Sequence, residues 1–240
     1  MEKTDVSIVV PCYNEGAFLK KAFKELIKTM DSARYSYEII FIDDKSKDET
    51  AKNLRELVKT SDKTRAFFHG KNLGRGGTVK EGFGKAKGKI VGFIDIDLEV
   101  HCRYIPAMVQ AINDGCDGAT AWRYYHVSLS SLHRFLLSRV YHVLEGILIG
   151  LPYNDTESGF KFFKKQKIMP LAALSKDDRW FFDTEIMALC HLNGLKIREI
   201  PAVFQKNPES KSTVRLVHDT IEYFQALWAF RKRAKKEKTA

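Results

Sequence analysis

Across its first hundred residues the chain alternates short apolar runs with stretches whose apolar residues recur at helical spacing. Val6-Ser7-Ile8-Val9-Val10, stopped by Pro11, reads as a buried parallel strand. Phe18, Ala22, Leu26 and Met30, with lysines between them, mark an amphipathic helix. Tyr37 to Ile42 is a second strand that ends in Asp43-Asp44, and Ser46 and Asp48 are placed to cap a helix over Glu49–Val58. Arg65 to His69 is a third strand. Asn72-Leu73-Gly74-Arg75-Gly76-Gly77 then opens a helix reaching Ala86, and Lys89 to Ile94 is a fourth strand. Strands and helices alternating at this pace require a mostly parallel, doubly wound α/β sheet. Ligands of such sheets bind at the carboxyl ends of the strands.

Two of those ends are acidic. One carries Asp43-Asp44; the other runs Asp95-Ile96-Asp97-Leu98-Glu99. Extended backbone would place Asp95, Asp97 and Glu99 on one side, where three carboxylates repel one another unless a cation lies between them. Mg²⁺ or Mn²⁺, itself bound to phosphate oxygens, is the matching hard ion. A D-x-D alone is unspecific, and its weight comes from lying at a strand end in an α/β chain.

The second half changes character. A helix near Tyr104–Asn113 leads to a strand at Gly118–Ala121 and then Trp122-Arg123-Tyr124-Tyr125. Leu129 to Ile149 reads as a long, mostly apolar helix, and Asp155 to Phe160 as a polar loop before a strand at Lys161–Phe163. A helix over Phe181–Leu192 carries Asp183 and Glu185, and Ile197–Phe204 is a last strand. Val214, Val217, Ile221, Phe224 and Trp228 form one stripe of an amphipathic terminal helix. With no repeat and no linker, residues 1–240 read as one domain. Its nucleotide-binding half is 1–100, its acceptor half 101–212, and 213–240 is the amphipathic helix with a basic tail.

Charge narrows the partners. The net charge of +10 is concentrated in the run from Arg231 to Lys238, which suits nucleic acid, an anionic membrane or a phosphorylated substrate. No aromatic–basic stacking pattern accompanies it and the run is terminal, so nucleic acid is not expected. The four cysteines are scattered, which implies neither a zinc site nor a disulfide framework and fits a reducing cytosol. Met1 to Asp5 leads straight into a strand, so no signal peptide is expected. The longest apolar stretch, Leu129–Leu151, is broken by Arg134, Arg139 and Glu145, so the chain is not expected to span a membrane by itself. An amphipathic helix beside clustered Lys and Arg is the composition of a membrane-surface anchor. The expected location is therefore cytoplasmic and peripheral, on the cytosolic face of a membrane.

Taken in order, these pieces resemble the family 2 glycosyltransferases of GT-A (Rossmann-like) fold, and within them the dolichyl- or polyprenyl-phosphate sugar synthases. Val9-Val10-Pro11-Cys12-Tyr13-Asn14-Glu15 matches the opening P-x-Y-N-E, and Ile42-Asp43-Asp44-Lys45-Ser46 the V-D-D-x-S strand end. Asn72 to Gly77 matches N-x-G-x-G-G, and Asp95-Ile96-Asp97 the D-x-D metal loop. Asp155-Thr156-Glu157-Ser158-Gly159-Phe160-Lys161 resembles D-T-Q-C-G-F-K. Phe182-Asp183-Thr184-Glu185 with Glu199-Ile200-Pro201 resembles F-D-x-E…E-x-P, and Ser210-Lys211 the S-K before the last helix. The resemblance covers residues 6 to 218. Departures are Glu99 where mannosyl members often have Gln, Ile96 for the usual Ala, Lys45 for the Gly of D-D-G-S, and Ala121 where Ser or Thr is frequent nearby. They bear on donor identity and metal geometry rather than on the fold.

The resemblance implies roles. Pro11, Tyr13, Glu15 and Asp43, with Gly76 and Asp95, would bind the nucleotide; Gly74, Gly76 and Gly77 would let backbone approach the donor. Asp95 and Asp97, with Glu99 as third ligand, would hold Mg²⁺ or Mn²⁺. Arg123, Arg134, Ser210, Lys211 and Arg215 would grip the acceptor or a phosphate. Asp97, Asp155 and Arg123 are the catalytic candidates. The implied reaction moves a hexose from a nucleotide sugar, UDP-glucose or a related UDP-hexose favoured, to a polyprenyl or dolichyl phosphate with inversion. The alternatives are a GDP-mannose donor, or transfer to a hydroxyl of a glycan or lipid-linked sugar. An anionic lipid phosphate is already a nucleophile near neutral pH, so alignment and leaving-group stabilisation would carry the catalysis. A hydroxyl acceptor would instead need Asp155 or another carboxylate as base.

Overall fold

The computed structural model describes residues 4–125, 146, 149–206 and 216–238. Among these, seven strands form one sheet in the order β3-β2-β1-β4-β6-β5-β7. The strands are β1 (Val6–Cys12), β2 (Tyr37–Asp43), β3 (Thr64–Phe68), β4 (Ile90–Ile94), β5 (Gly118–Tyr125), β6 (Phe160–Lys164) and β7 (Ile197–Phe204). The α-helices are α1 (Leu19–Ser32), α2 (Thr50–Leu57), α3 (Arg75–Lys85), α4 (Ile105–Asn113), α5 (Lys165–Leu174), α6 (Phe182–Leu192) and α7 (Leu216–Lys238). The mostly parallel α/β sheet is the expected one, with β6 alone antiparallel to both of its neighbours.

β1 lies in the middle because it is apolar on both faces. Val6, Ile8 and Val10 enter one core layer with α1 and α4, while Val9 enters the other with α3 and α6. Each fully buried Leu, Ile or Phe in these layers contributes roughly 1.5–3 kcal/mol. The register then decides what meets at the functional edge. Cys12 pairs with Asp43, so the loops after β1 and β2 emerge together, and the chain passes from β1 to β4 on its other side. That reversal is where open sheets bind ligands. Because β6 runs backwards, its first residue, Phe160, lies opposite Ile94, the last of β4. The loop before β6 therefore reaches the same edge as the acidic loop after β4.

Three sequence expectations change. β5 runs to Tyr125 rather than Ala121, because all eight of its residues pair with β7. Helix α5 was not anticipated; Pro170 lies inside it and reads locally as a breaker. Of the expected stripe of α7, Phe224 packs against the core but Ile221 and Trp228 are 54% and 51% exposed, and the buried face is supplied by Tyr223, Leu227 and Phe230. Ring contacts of Phe181 with Tyr223 and Phe230 explain the choice, since they turn that face to the core. The helix expected over Leu129–Ile149 lies outside the described residues apart from Gly146 and Ile149, as do Val214 and the loop from Asn207.

Candidate active site

The loops after β1 and β2 are clasped backbone to side chain. Asn14, in the left-handed region at φ 59°, donates its N–H to Ser46 Oγ at 2.9 Å, and its Oδ1 accepts from Lys47 N at 2.7 Å. Glu15 N donates to Thr50 Oγ1 at 2.8 Å and Gly16 N to Asp48 Oδ2 at 3.0 Å. Ser46, expected to cap a helix, thus ties two loops together; Asp48 does both, since it also accepts from Thr50 N at the start of α2. Asp43 is buried at this edge and receives Ser46 N at 3.3 Å. Asp44 faces inward, accepting from Leu73 N (2.7 Å), Gly74 N (2.9 Å) and His69 Nδ1 (2.7 Å), so it holds the glycine-rich turn. Pro11 and Tyr13 are half-buried and flank Cys12, the residue of β1 that pairs with Asp43.

The acidic loop is not extended. β4 ends at Ile94, residues 96–97 turn, and Leu98 sits at φ 52°. Alternation therefore does not align the carboxylates; a tight turn does, with Glu99 N donating to Asp97 Oδ1 at 3.1 Å. The electrostatics show the convergence. Burial, then Asp95 and Glu99, push Asp97 up to about 7. Burial, then Asp97, Asp95, Asp48 and Glu99, push Glu15 up to about 8. Among the described residues no three acidic, His or Cys side chains already form a coordination cage. The site is an open edge with excess negative charge, and its hard oxygen donors fit a divalent cation completed by ligand oxygens.

Arg75 balances one side of that charge. Its Nε and Nη2 donate to Asp95 Oδ1 at 3.0 and 2.6 Å, and its Nη1 to Asp183 Oδ2 at 2.5 Å. Burial opposes the guanidinium charge, and Asp183 and Asp95 more than offset it, raising its pKa. A Cβ on Gly159 would meet the Asp95 carboxylate and the Arg75 guanidinium, so a larger residue there would have to displace this ion pair. Gly76 has a different reason from the one expected. A Cβ on it would collide with Phe182, and Gly77 N donates to Asp178 O at 3.1 Å. The glycine-rich turn therefore packs on the segment before α6, and the bare face of Gly76 is filled by the chain itself rather than left open to a nucleotide.

On the other side stands Asp155, 3% exposed. Arg123 grips it with Nε at 2.7 Å and Nη2 at 2.9 Å, and its backbone N–H adds a bond at 3.0 Å. Burial alone would raise this carboxyl, but Arg123 overcomes it and holds it below the usual range. Glu199 fixes the loop, accepting from Asn154 N (2.8 Å) and Asp155 N (3.2 Å). One helical turn behind the site, buried Glu185 accepts from Ser175 Oγ, Lys176 N and Asp177 N and is met by Arg233 of α7. Arg134, Ser210, Lys211 and Arg215 lie outside the described residues.

Two residues quoted only as parts of motifs turn out to be structural centres of the site: Arg75 and Lys161. Arg75 had no signal, because its second partner lies 108 residues away. Lys161 had one, a single charge in the run Phe160-Lys161-Phe162-Phe163, which is buried on both faces.

A mostly parallel sheet with a switch point, carrying an acidic turn at its carboxyl edge, defines a doubly wound α/β domain with its candidate ligand site at that edge. The family model described as Glycosyl transferase family 2 matches residues 7–170, and the chain belongs to that family. Relatives include glycosyltransferase AglD of Haloferax volcanii, 28% identical over 90% of this chain but 35% of its own length. The dolichyl-phosphate beta-glucosyltransferases of Dictyostelium discoideum and Homo sapiens are 27% and 26% identical over 93% and 81% of this chain, and 76% and 65% of their own. The chain thus spans about a third of the first of these relatives. Among solved structures, glucosyl-3-phosphoglycerate synthase of Mycobacterium tuberculosis with Mg²⁺ and UDP superposes with a TM-score of 0.73 at 16% identity, covering 95% of this chain and 80% of that one. A complex of the same enzyme with Mn²⁺, UDP and glucosyl-3-phosphoglycerate gives 0.71. At this identity the likeness establishes a shared GT-A fold.

Proposed function

We propose that this chain is an inverting, metal-dependent hexosyltransferase that uses a nucleotide sugar, with UDP-glucose or a related UDP-hexose favoured, and a polyprenyl or dolichyl phosphate as acceptor. Membership of family 2 supports sugar transfer, and the relatives named dolichyl-phosphate beta-glucosyltransferase support the acceptor and the sugar. The observation that carries the acceptor class is the locked pair Arg123–Asp155. The carboxylate first expected to serve a hydroxyl acceptor as base, Asp155, is ionised, buried and held by Arg123, which counts against that role for it. An anionic phosphate needs no base but needs a cation, and the Arg123 guanidinium, paired with Asp155 and 3.7 Å from Glu157, is the one it would draw on.

Pro11, Tyr13, Glu15 and Asp43 line the nucleotide side. Asp95 and Asp97, with Glu99, would hold Mg²⁺ or Mn²⁺, whose charge would stabilise a departing nucleoside diphosphate. Arg75 keeps Asp95 oriented, and Arg123 faces the acceptor, with Arg134, Ser210, Lys211 and Arg215 as further candidates from the sequence. In-line attack in one step inverts the anomeric centre, converting an α-linked donor to a β-linked product. The basic end of α7, with Trp228 half-exposed beside Arg231, supports peripheral contact with an anionic membrane on the cytosolic side. Among the described residues no helix is long and apolar enough to cross a membrane.

The test is a donor screen of the purified protein with Mn²⁺ or Mg²⁺. UDP-glucose, UDP-N-acetylglucosamine and GDP-mannose are offered with and without a short polyprenyl phosphate, following nucleoside diphosphate release. Release from a UDP-hexose that needs both metal and lipid phosphate is expected. Release from GDP-mannose alone would favour the mannosyl alternative, and release only with a glycan hydroxyl would overturn the acceptor assignment.

A further inference from the structure

Lys161, the second residue of β6, is wholly buried. Its Nζ donates to Ser158 O and stands 3.6 Å from Asp183 Oδ1 and 5.6 Å from the centre of the Phe93 ring. The same ring carries the Arg75 guanidinium at 5.3 Å. Asp155 is close enough to act on Lys161 electrostatically, as Asp183 does. Six groups of alternating sign thus run through the molecule in one line: Arg123, Asp155, Lys161, Asp183, Arg75 and Asp95. One end is the candidate phosphate grip and the other the candidate metal loop. Lys161 is the link between the two ends.

The line also has slack. The buried side-chain atoms without a hydrogen-bond partner among the described residues include Thr120 Oγ1, Ser158 Oγ and Asp183 Oδ1. All three surround Lys161: Thr120 is its cross-strand neighbour on the same face, Ser158 takes its N–H, and Asp183 is its ion-pair partner. An ammonium has three donors, and this one has spent one of them on Ser158 O. With Asp183 at 3.6 Å and two idle hydroxyls nearby, the ammonium is not fully committed to one carboxylate.

We propose that Lys161 is a positioning residue that couples the two halves of the site, so that occupation of the donor loop and of the acceptor grip favour one another. This rests on the donor and acceptor reading given above. When a cation and diphosphate draw on Asp95, Arg75 turns its charge more fully to Asp183. Lys161 then has less hold on Asp183 and more on Asp155, and that loosens Asp155 from Arg123 and lets the guanidinium, which Glu157 also faces at 3.7 Å, turn toward an anionic acceptor. No bond is made or broken; the step is an exchange of partners along the line. Linkage requires the effect to be reciprocal.

The experiment is calorimetric binding of UDP with Mn²⁺ in the absence and presence of farnesyl phosphate, for the wild type and for Lys161→Met. Met keeps an unbranched side chain one atom shorter and removes its charge. In the wild type each ligand is expected to tighten the other by at least about fivefold. In Lys161→Met each ligand alone is expected to bind within a few-fold of wild type, with the mutual enhancement lost. If Lys161→Met does not fold because Asp183 is left facing no ammonium, the double variant Lys161→Met/Asp183→Asn removes both charges and must show the same loss. Enhancement retained in whichever variant folds, or absent from a wild type that binds both ligands, overturns the coupling alone. A wild type that binds neither UDP–Mn²⁺ nor farnesyl phosphate overturns the functional reading and the coupling with it.

Discussion

At the scale of single residues, three positions lend themselves to direct test. Lys45 sits at φ 61°, where the related pattern has Gly, and a non-glycine residue there costs roughly 1–2 kcal/mol of backbone strain. Lys45→Gly regains part of that strain and loses some to unfolded-state entropy, so a net gain of up to about 1 kcal/mol is expected in chemical denaturation. Asp97→Asn removes one of several mutually repelling carboxylates, so stability should be unchanged or slightly higher while metal-dependent turnover disappears; wild-type turnover would remove the metal loop assignment. Glu38 reports on pH. Burial would raise it, but Ser7 Oγ, Lys87 N and Arg65 outweigh burial and leave its pKa below the ordinary 4.5. A depressed carboxyl stabilises the fold fully above about pH 4.5 and loses that contribution as pH falls through the lower folded value. Glu38→Gln should therefore flatten the acid limb of a stability–pH curve and leave the contribution of other groups in place.

At the scale of elements, α7 is an integral wall of the site rather than a tail. Tyr223 OH reaches Thr184 Oγ1 at 2.8 Å, and Thr184 reaches Thr156 at 3.1 Å, joining α7 to α6 and to the loop before β6. Arg233 meets Glu185, which is 1% exposed. Breaking a buried ion pair from one side costs about 3–5 kcal/mol. Arg233 is 31% exposed, so Arg233→Ala is expected at or below the low end of that range in a urea melt. Because Glu185 holds the 175–177 segment against which the glycine-rich turn packs, the same variant should weaken donor binding. Leu227→Ala, which opens a cavity in the same helix without touching a charge, should cost about 2–5 kcal/mol and serves as the packing control.

At the scale of the whole molecule, the +10 charge and its concentration near the end of α7 predict a salt-dependent association. Vesicles of phosphatidylserine and phosphatidylcholine should sediment the protein at low salt, and phosphatidylcholine alone should not. Ile221 and Trp228 stand on the outward face of α7, so Trp228→Glu should reduce sedimentation while leaving stability within about 0.5 kcal/mol, as for other surface changes. Equal binding to both vesicle types would remove the electrostatic basis of the assignment, and binding to neither would remove the membrane assignment itself.

The sequence alone determined what depends on local period and on position along the chain. Four apolar runs alternating with helical patterns left a doubly wound sheet as the answer, and strand ends in such a sheet carry the ligand site, so Asp43, Asp95 and Asp97 could be placed at its edge from their neighbours in sequence. Resemblance then supplied the family. What only the tertiary structure decided are relations between distant residues. Arg75 meets Asp183 across 108 positions, and Arg123 locks Asp155 because β6 runs backwards. The role of Gly76 is set by Phe182, and the buried face of α7 by Phe181. Charge pairing and packing are settled by which surfaces the fold brings together. A periodicity of 2 or 3.6 along one segment shows that a face will be buried, but the face it meets is chosen by the rest of the molecule.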